Sequence, residues 1–192
     1  RHASRHKSHR PVATHKGNPL PSGDNRAVPP IVAALALTLV VQSLTSMAMI
    51  APSVLAPVAA ADFGVAPQSV GLFVSTTYFA AMLSGLAAGA LIARFGALGV
   101  CVGALGGAAL GLALGDAALL ALLPLCALAI GGGYGTVNPV SSQILARATP
   151  PRQMALIFSI KQTGVPIGGA IAGALVPPLL LAAGWQKTLL VL

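Results

Sequence analysis

Apolar residues run along this chain in long blocks separated by single charges. Residues 31–61 carry no charge, nor do 63–93, 95–115 and 117–146; residues 153–160 are likewise uncharged, and that block continues past one lysine, Lys161, to Gln186. Crossing the hydrocarbon core of a bilayer takes about 20 helical residues. The pattern therefore predicts an all-α polytopic membrane bundle with five full transmembrane helices and the start of a sixth. Ahead of these blocks, residues 1–28 are rich in Pro, His, Ser and Arg and show no periodicity. They read as a disordered basic tail preceding the bundle of residues 29–192. The chain opens without Met and stops as the sixth span begins, so it reads as a fragment at both ends.

Polar and small residues within the blocks mark helix faces. Pro29-Pro30 opens the first span, where the missing amide donors are least missed. Gln42, Thr45, Ser46 and Ser53 share one stripe of that span, which must face protein or water. Pro52 should kink its far part and Pro57 should loosen its end. In the second span Gly71, Ser75, Tyr78, Met82, Gly85 and Gly89 recur at steps of three and four, predicting a packed face opposite a lipid face of Leu72, Phe79, Leu83 and Leu86. The third span has Gly99, Gly103, Gly107, Gly111 and Gly115 at every fourth position, a ladder suited to close helix approach. Span four, from about Ala117, holds Gly131-Gly132-Gly133 and Pro139. Pro52 and Pro139 fall at matching distances from their span starts, as an inverted repeat of three helices plus three would give. Pro150-Pro151 turns into span five, Pro177-Pro178 marks where that helix weakens, and Trp185 reads as an anchor at the membrane interface.

Composition sharpens this picture. Hydrophobic residues make up 56% of the chain and charged residues 7%, with no Glu at all, which cannot cover a soluble domain. Six of the eleven Lys/Arg precede the first span. With the tail in the cytoplasm, Arg94, Arg147 and Arg152 fall on its side and Asp62, Asp116 and Lys187 on the other, a positive-inside distribution. The net charge of +8 is then a matter of topology. The tail offers no aromatic residue to stack on bases, so no nucleic-acid partner is expected. Cys101 and Cys126 lie in separate spans as small core residues, and all four histidines are in the tail. No metal or other cofactor is expected, and no G-x-x-x-x-G-K-S/T phosphate loop is present.

Residues 89–96, Gly-Ala-Leu-Ile-Ala-Arg-Phe-Gly, resemble the loop signature of the major facilitator superfamily, G-x-L-x-D-R-x-G-R-K. Gly89, Leu91, Arg94 and Gly96 match; the acidic position is Ala93, and the two basic positions that follow are Ala97 and Leu98, so the ionic latch of that loop is not implied. Residues 159–173 are similar to fifth helices of bacterial members, with Gly164, Pro166, Gly168 and Gly169 as packing and hinge positions. Pro166 stands one residue nearer the glycine pair than the family's antiporter motif requires. The resemblance implies the amino-terminal six-helix half of a secondary transporter of the bacterial inner membrane, amino terminus cytoplasmic, moving a small-molecule solute by alternating access against a carboxyl-terminal six-helix half outside this chain. Lipids would surround both halves. In that family the first and fourth helices line the cavity with the second and fifth beside them, which maps here onto Gln42, Ser46, Tyr78, Tyr134, Asn138, Lys161 and Gln162, with Gly89, Arg94 and Gly96 as a gating loop.

Two other functions compete. An intramembrane enzyme needs a general base or metal ligands at depth, and no His, Asp or Glu lies well inside a span. A packing or assembly subunit that transports nothing, or an inactive truncated transporter, would explain one bundle without a second but leaves Lys161 idle. That lysine lies about 15 Å along the helix from Pro151, at 1.5 Å per residue. A lysine at such depth costs about 2.5–3.5 kcal/mol and usually faces a cavity, although its stem could also carry the ammonium back towards the headgroups. Its counter-charge would come from an anionic solute or from the other half.

Overall fold

The computed structural model describes residues 30–66, 68–117 and 119–192; the tail expected at 1–28 lies outside them. Helix α1, Ile31–Asp62, starts directly after Pro30. Helix α2, Ser69–Asp116, has 48 residues, and a 3-10 turn at Leu120–Leu122 leads into α3, Leu123–Ala148. Pro150 is extended, and a second 3-10 turn, Pro151–Gln153, opens α4, Met154–Gln162. After a one-residue break at Thr163, α5 runs over Gly164–Val191. Among the described residues four stretches are long and apolar enough to cross a membrane: Ile31–Asp62, Ser69–Asp116, Leu120–Ala148 and Pro151–Val191.

That count differs from the five spans and the start of a sixth expected from the charge pattern, and two glycines explain why. Gly96 stands inside α2 at φ 73°, ψ 164°, and Gly184 inside α5 at φ 80°, ψ 167°. L-residues rarely adopt positive φ, whereas glycine does so freely. Helical geometry resumes at once on both sides, so each stretch is two helices joined at a one-residue kink with no loop between them. The bend at Gly96 is nonetheless a reversal. Thr77 and Ala104 would stand about 40 Å apart on a straight helix, yet both meet the same short glycine segment of α3.

That segment is where the helices come closest. A side chain at Gly131 would run into the Thr77 carbonyl and one at Gly135 into the Ala81 carbonyl, while one at Gly133 would strike the Ala104 carbonyl. Positions two apart on a helix point about 200° apart, so α3 is wedged between residues 69–95 on one side and 97–116 on the other. The register gives directions: 77 and 81 climb with 131 and 135, a parallel pair, while 104, 107 and 111 climb as their neighbours on α3 descend, an antiparallel pair. On the far side, Gly164 abuts Gln42, and Gly168 abuts Ser43 and Ser46, so α5 runs parallel to α1. Apolar cores flank the middle: one joins Ala34, Val100, Val140, Leu145 and Ile157 near Arg147, the other joins Leu55, Leu112, Cys126, Val176 and Trp185 near the opposite end. Both cysteines are buried and free.

Several local expectations shift. Of the glycine ladder, Gly107, Gly111 and Gly115 face α3 or Leu189, whereas Gly103 has nothing near it. The packed face of 69–95 is Thr77, Ala80 and Ala88, rotated from the expected stripe, which leaves Tyr78 and Met82 exposed. Helix α1 continues past Pro57 to Asp62, and α5 past Pro177-Pro178 to the Gly184 bend, because a helix held in a bundle tolerates lost amide donors. Span four begins as α3 at Leu123 rather than near Ala117, so Pro52 and Pro139 no longer match in depth. Trp185 is a core residue, 4% exposed. Its indole N–H donates to Asp62 Oδ2 at 2.6 Å and its ring meets Phe63 edge-on, centroids 5.4 Å apart. The Gly184 bend turns it inward, where the acidic end of α1 supplies a charged acceptor.

Gly131→Ala should therefore destabilise the bundle by about 1–3 kcal/mol, the usual cost of overpacking. Gly103→Ala should be neutral or stabilising by up to about 1 kcal/mol through helix propensity. Thermal unfolding in detergent, followed through Trp185, the single tryptophan, distinguishes the two.

Candidate functional site

Between the two apolar cores lies a belt of buried polar side chains, which divides into two kinds. Thr38 and Thr45 donate to their own helix, Thr38 to the Ala34 carbonyl at 2.9 Å and Thr45 to the Val41 carbonyl at 2.8 Å. Thr77, Thr136 and Ser141 do the same. Such back-bonding satisfies a hydroxyl locally and asks nothing of a ligand. Gln42 and Ser46 are different. Each is 1% exposed, and neither Gln42 Oε1 nor Ser46 Oγ has a hydrogen-bond partner among the described residues. A buried polar atom left unpaired costs about 1–3 kcal/mol. Both belong to α1, one helical turn apart, on the side that α5 touches.

Lys161 occupies the last turn of α4 and is 1% exposed, the largest of the fully buried side chains. Its Nζ donates to Asn138 Oδ1 of α3. The acids among the described residues, Asp62 and Asp116, are the final residues of α1 and α2, far from this depth. The ammonium is thus held by one neutral acceptor while two further N–H groups remain to be used. Three residues on, the backbone of Gly164 lies against Gln42; a Cβ there would be 2.8 Å from Gln42 Cγ. The small glycine lets the Lys161 helix and the Gln42 helix meet. The break at Thr163 follows directly, and Pro166, which removes a donor in the first turn of α5, keeps the two helices distinct.

One turn further along, α1, α2, α3 and α5 enclose a cavity of about 180 Å³ lined by Ser46, Met49, Ile50, Ser53, Val74, Thr77, Tyr78, Tyr134 and Val165. Tyr134 is four residues before Asn138 and Val165 four after Lys161, so the Lys161–Asn138 pair lies one turn towards the Arg147 end of this cavity. Six of the seven residues expected in a solute site are thereby grouped: Lys161, Asn138 and Gln42 at one level, Ser46, Tyr134 and Tyr78 at the next. Tyr78 reaches the cavity although it is 61% exposed. Gln162 is not brought in; it is exposed on α4 beside the buried Lys161, because adjacent helical positions point about 100° apart. Thr77, Val74, Met49, Ile50 and Val165 were not foreseen, since nothing in an apolar block tells which of its residues border a gap. In the loop at 89–96, Gly89 has no neighbour, Arg94 is exposed over the Phe95 ring at 5.3 Å, and Gly96 makes the reversal. Gly164 and Gly168 pack on α1, and a Cβ at Gly169 would approach Ile50 Cδ1 to 3.2 Å.

The sequence profile described as Major Facilitator Superfamily matches residues 36–192. A hexuronate transporter of Bacillus subtilis (strain 168) is 26% identical over 162 residues, an alignment covering 82% of this chain and 37% of that protein. The chain therefore spans well under half the length of that curated relative. No solved structure matches it.

If Gln42 is held unpaired at a cost to the fold, Gln42→Met, unbranched and of similar length, should raise stability by about 1 kcal/mol. Thr45→Val, which removes a hydroxyl already satisfied, should bring no gain. Thermal unfolding of both variants in detergent reads the difference in sign.

Proposed function

The chain belongs to the Major Facilitator Superfamily, and on that premise we propose that it forms one bundle of a secondary active transporter, with its solute bound beside Lys161 and Asn138. Residues 69–95 and 97–116 then count as separate crossings, which makes five, and residues 185–191 begin a sixth. A second bundle completes the transporter, and the two rock about the central site to expose it to each side in turn. The Arg94, Arg147 and Arg152 side is cytoplasmic by the positive-inside rule, in a bacterial inner membrane.

The observation that carries this reading is the buried, unneutralised Lys161. An ammonium in hydrocarbon without a carboxylate is expensive, and an apolar residue in its place would stabilise the fold, so the charge is held at a cost that points to a task. An anionic solute meets that need directly. The relative named a hexuronate transporter agrees with a solute of this charge, since a hexuronate is a carboxylate. The helix break at Thr163 next to Lys161 supplies a hinge at which a rocking motion could carry the charge between two positions.

In the full-length protein, Lys161→Ala should abolish solute uptake while expression and folding persist, and Lys161→Arg should recover little, because a planar guanidinium does not fit the place of a compact ammonium. Full uptake by the alanine variant overturns the assignment. Cysteines introduced beside Arg147 and beside Asp116 should label from opposite sides of the membrane; labelling from one side alone overturns the topology.

A further inference from the structure

Taking the transporter reading as its basis, we infer that the pocket recognises a polyhydroxylated monocarboxylate. Its carboxylate takes the place of Asn138 Oδ1 on Lys161 Nζ, and its hydroxyls donate to Gln42 Oε1 and Ser46 Oγ.

The charge follows from the inventory of the site. Lys161 is the one charged side chain buried among the described residues, so the pocket neutralises a single negative charge. A second carboxylate would lie against the negative end of the Gln42 amide with no cation to meet it. Asn138 presents to the ammonium a carbonyl-type oxygen, the same acceptor geometry as one oxygen of a carboxylate but without its charge. A charge-assisted bond is about twice as strong as a neutral one, so a carboxylate displaces Asn138 readily, and Asn138 keeps the ammonium paired when the pocket has no solute.

The hydroxyls follow from the unpaired atoms. Gln42 Oε1 can only accept, so its partner must be a donor. A donor that is itself cationic would be repelled by Lys161, so the donor is neutral, and a hydroxyl is the neutral donor that can equally accept from the Ser46 hydroxyl. Ser46 Oγ is also unpaired, and residues one turn apart on α1 are separated by about 6 Å. One hydroxyl cannot reach both. A ligand that satisfies Lys161, Gln42 and Ser46 together carries a carboxylate at one end and hydroxyls at two or more positions along its skeleton. Ser46 borders the cavity of about 180 Å³, which receives the remainder, with Tyr134 and Tyr78 as its aromatic walls. The five back-bonded hydroxyls of the belt make no such demand; Gln143 Oε1 and Thr149 Oγ1 are also unpaired, but they lie towards the Arg147 end of α3 and border no part of the cavity.

Binding to the purified full-length protein, measured by calorimetry with three six-carbon probes, tests this. D-Gluconate has the carboxylate and the hydroxyls, hexanoate only the carboxylate, and sorbitol only the hydroxyls. Gluconate should bind most tightly. Gln42→Met should weaken gluconate by about tenfold, the loss of one buried hydrogen bond, and leave hexanoate unchanged, while Lys161→Gln should lose both acids. Hexanoate binding as tightly as gluconate, or an equal effect of Gln42→Met on the two, overturns the hydroxyl assignment and leaves the anionic site standing. Sorbitol binding as tightly as gluconate, or gluconate binding undiminished in Lys161→Gln, overturns the anionic site itself. Absence of gluconate binding overturns the inference, and uptake by Lys161→Ala then decides separately whether the transporter reading survives.

Discussion

Backbone contact between helices at Gly131, Gly133 and Gly135 sets the positions of the other parts of this bundle. In lipid there is no hydrophobic force to drive helices together, since the surrounding tails are as apolar as leucine; close packing and local hydrogen bonds must do it. Three glycines within five residues let α3 receive the Thr77, Ala81 and Ala104 carbonyl regions on opposite faces. A methyl group at any of them would push a neighbour outwards. Because α3 also carries Tyr134 and Asn138, the same close approach fixes where those side chains emerge. Gly164 and Gly168 do the equivalent for α5 against α1, and so bring Lys161 to the level of Gln42.

With the helices held this closely, the interior polar groups have two fates. Hydroxyls on threonine and serine fold back onto carbonyls of their own helix and become neutral fillers. Gln42 Oε1 can only accept and so cannot bond a carbonyl, Ser46 makes no such bond, and Lys161 carries a charge that has no carboxylate partner among the described residues. All three are buried in the bundle interior, where an uncompensated polar atom is most expensive. The Trp185 to Asp62 bond shows the contrasting case: a polar pair at the end of the bundle in which the indole N–H has its acceptor, and which ties the last turn of α1 to the residues after Gly184.

The interruption between α4 and α5 is one residue long. Lys161 is on one side of Thr163, and Gly164 with Pro166 is on the other. The glycines fasten α5 to α1, while the Lys161 side chain on α4 reaches across to Asn138 of α3.

Membrane residence and the placing of charges at helix ends were legible along the chain, because both depend on runs of consecutive residues: block length decides whether a helix can span, and the charges between blocks fall where helices end or turn. The position of Lys161 along its helix was legible for the same reason, since rise per residue is nearly constant. The family was legible too, in the loop around Arg94 and in the glycines around Pro166. Helix rotation was not. The packed face of 69–95 is turned from the expected stripe, Gly103 has no neighbour while Gly107 does, and Gln162 points away from the residue beside which it was placed, because small residues recur on more than one face and only the partner helix selects among them. Nor could the sequence pair Lys161 with Asn138 or Trp185 with Asp62. Each bond joins side chains of different helices, and its existence depends on crossing position and rotation to within a few ångströms, quantities that the tertiary structure alone decides.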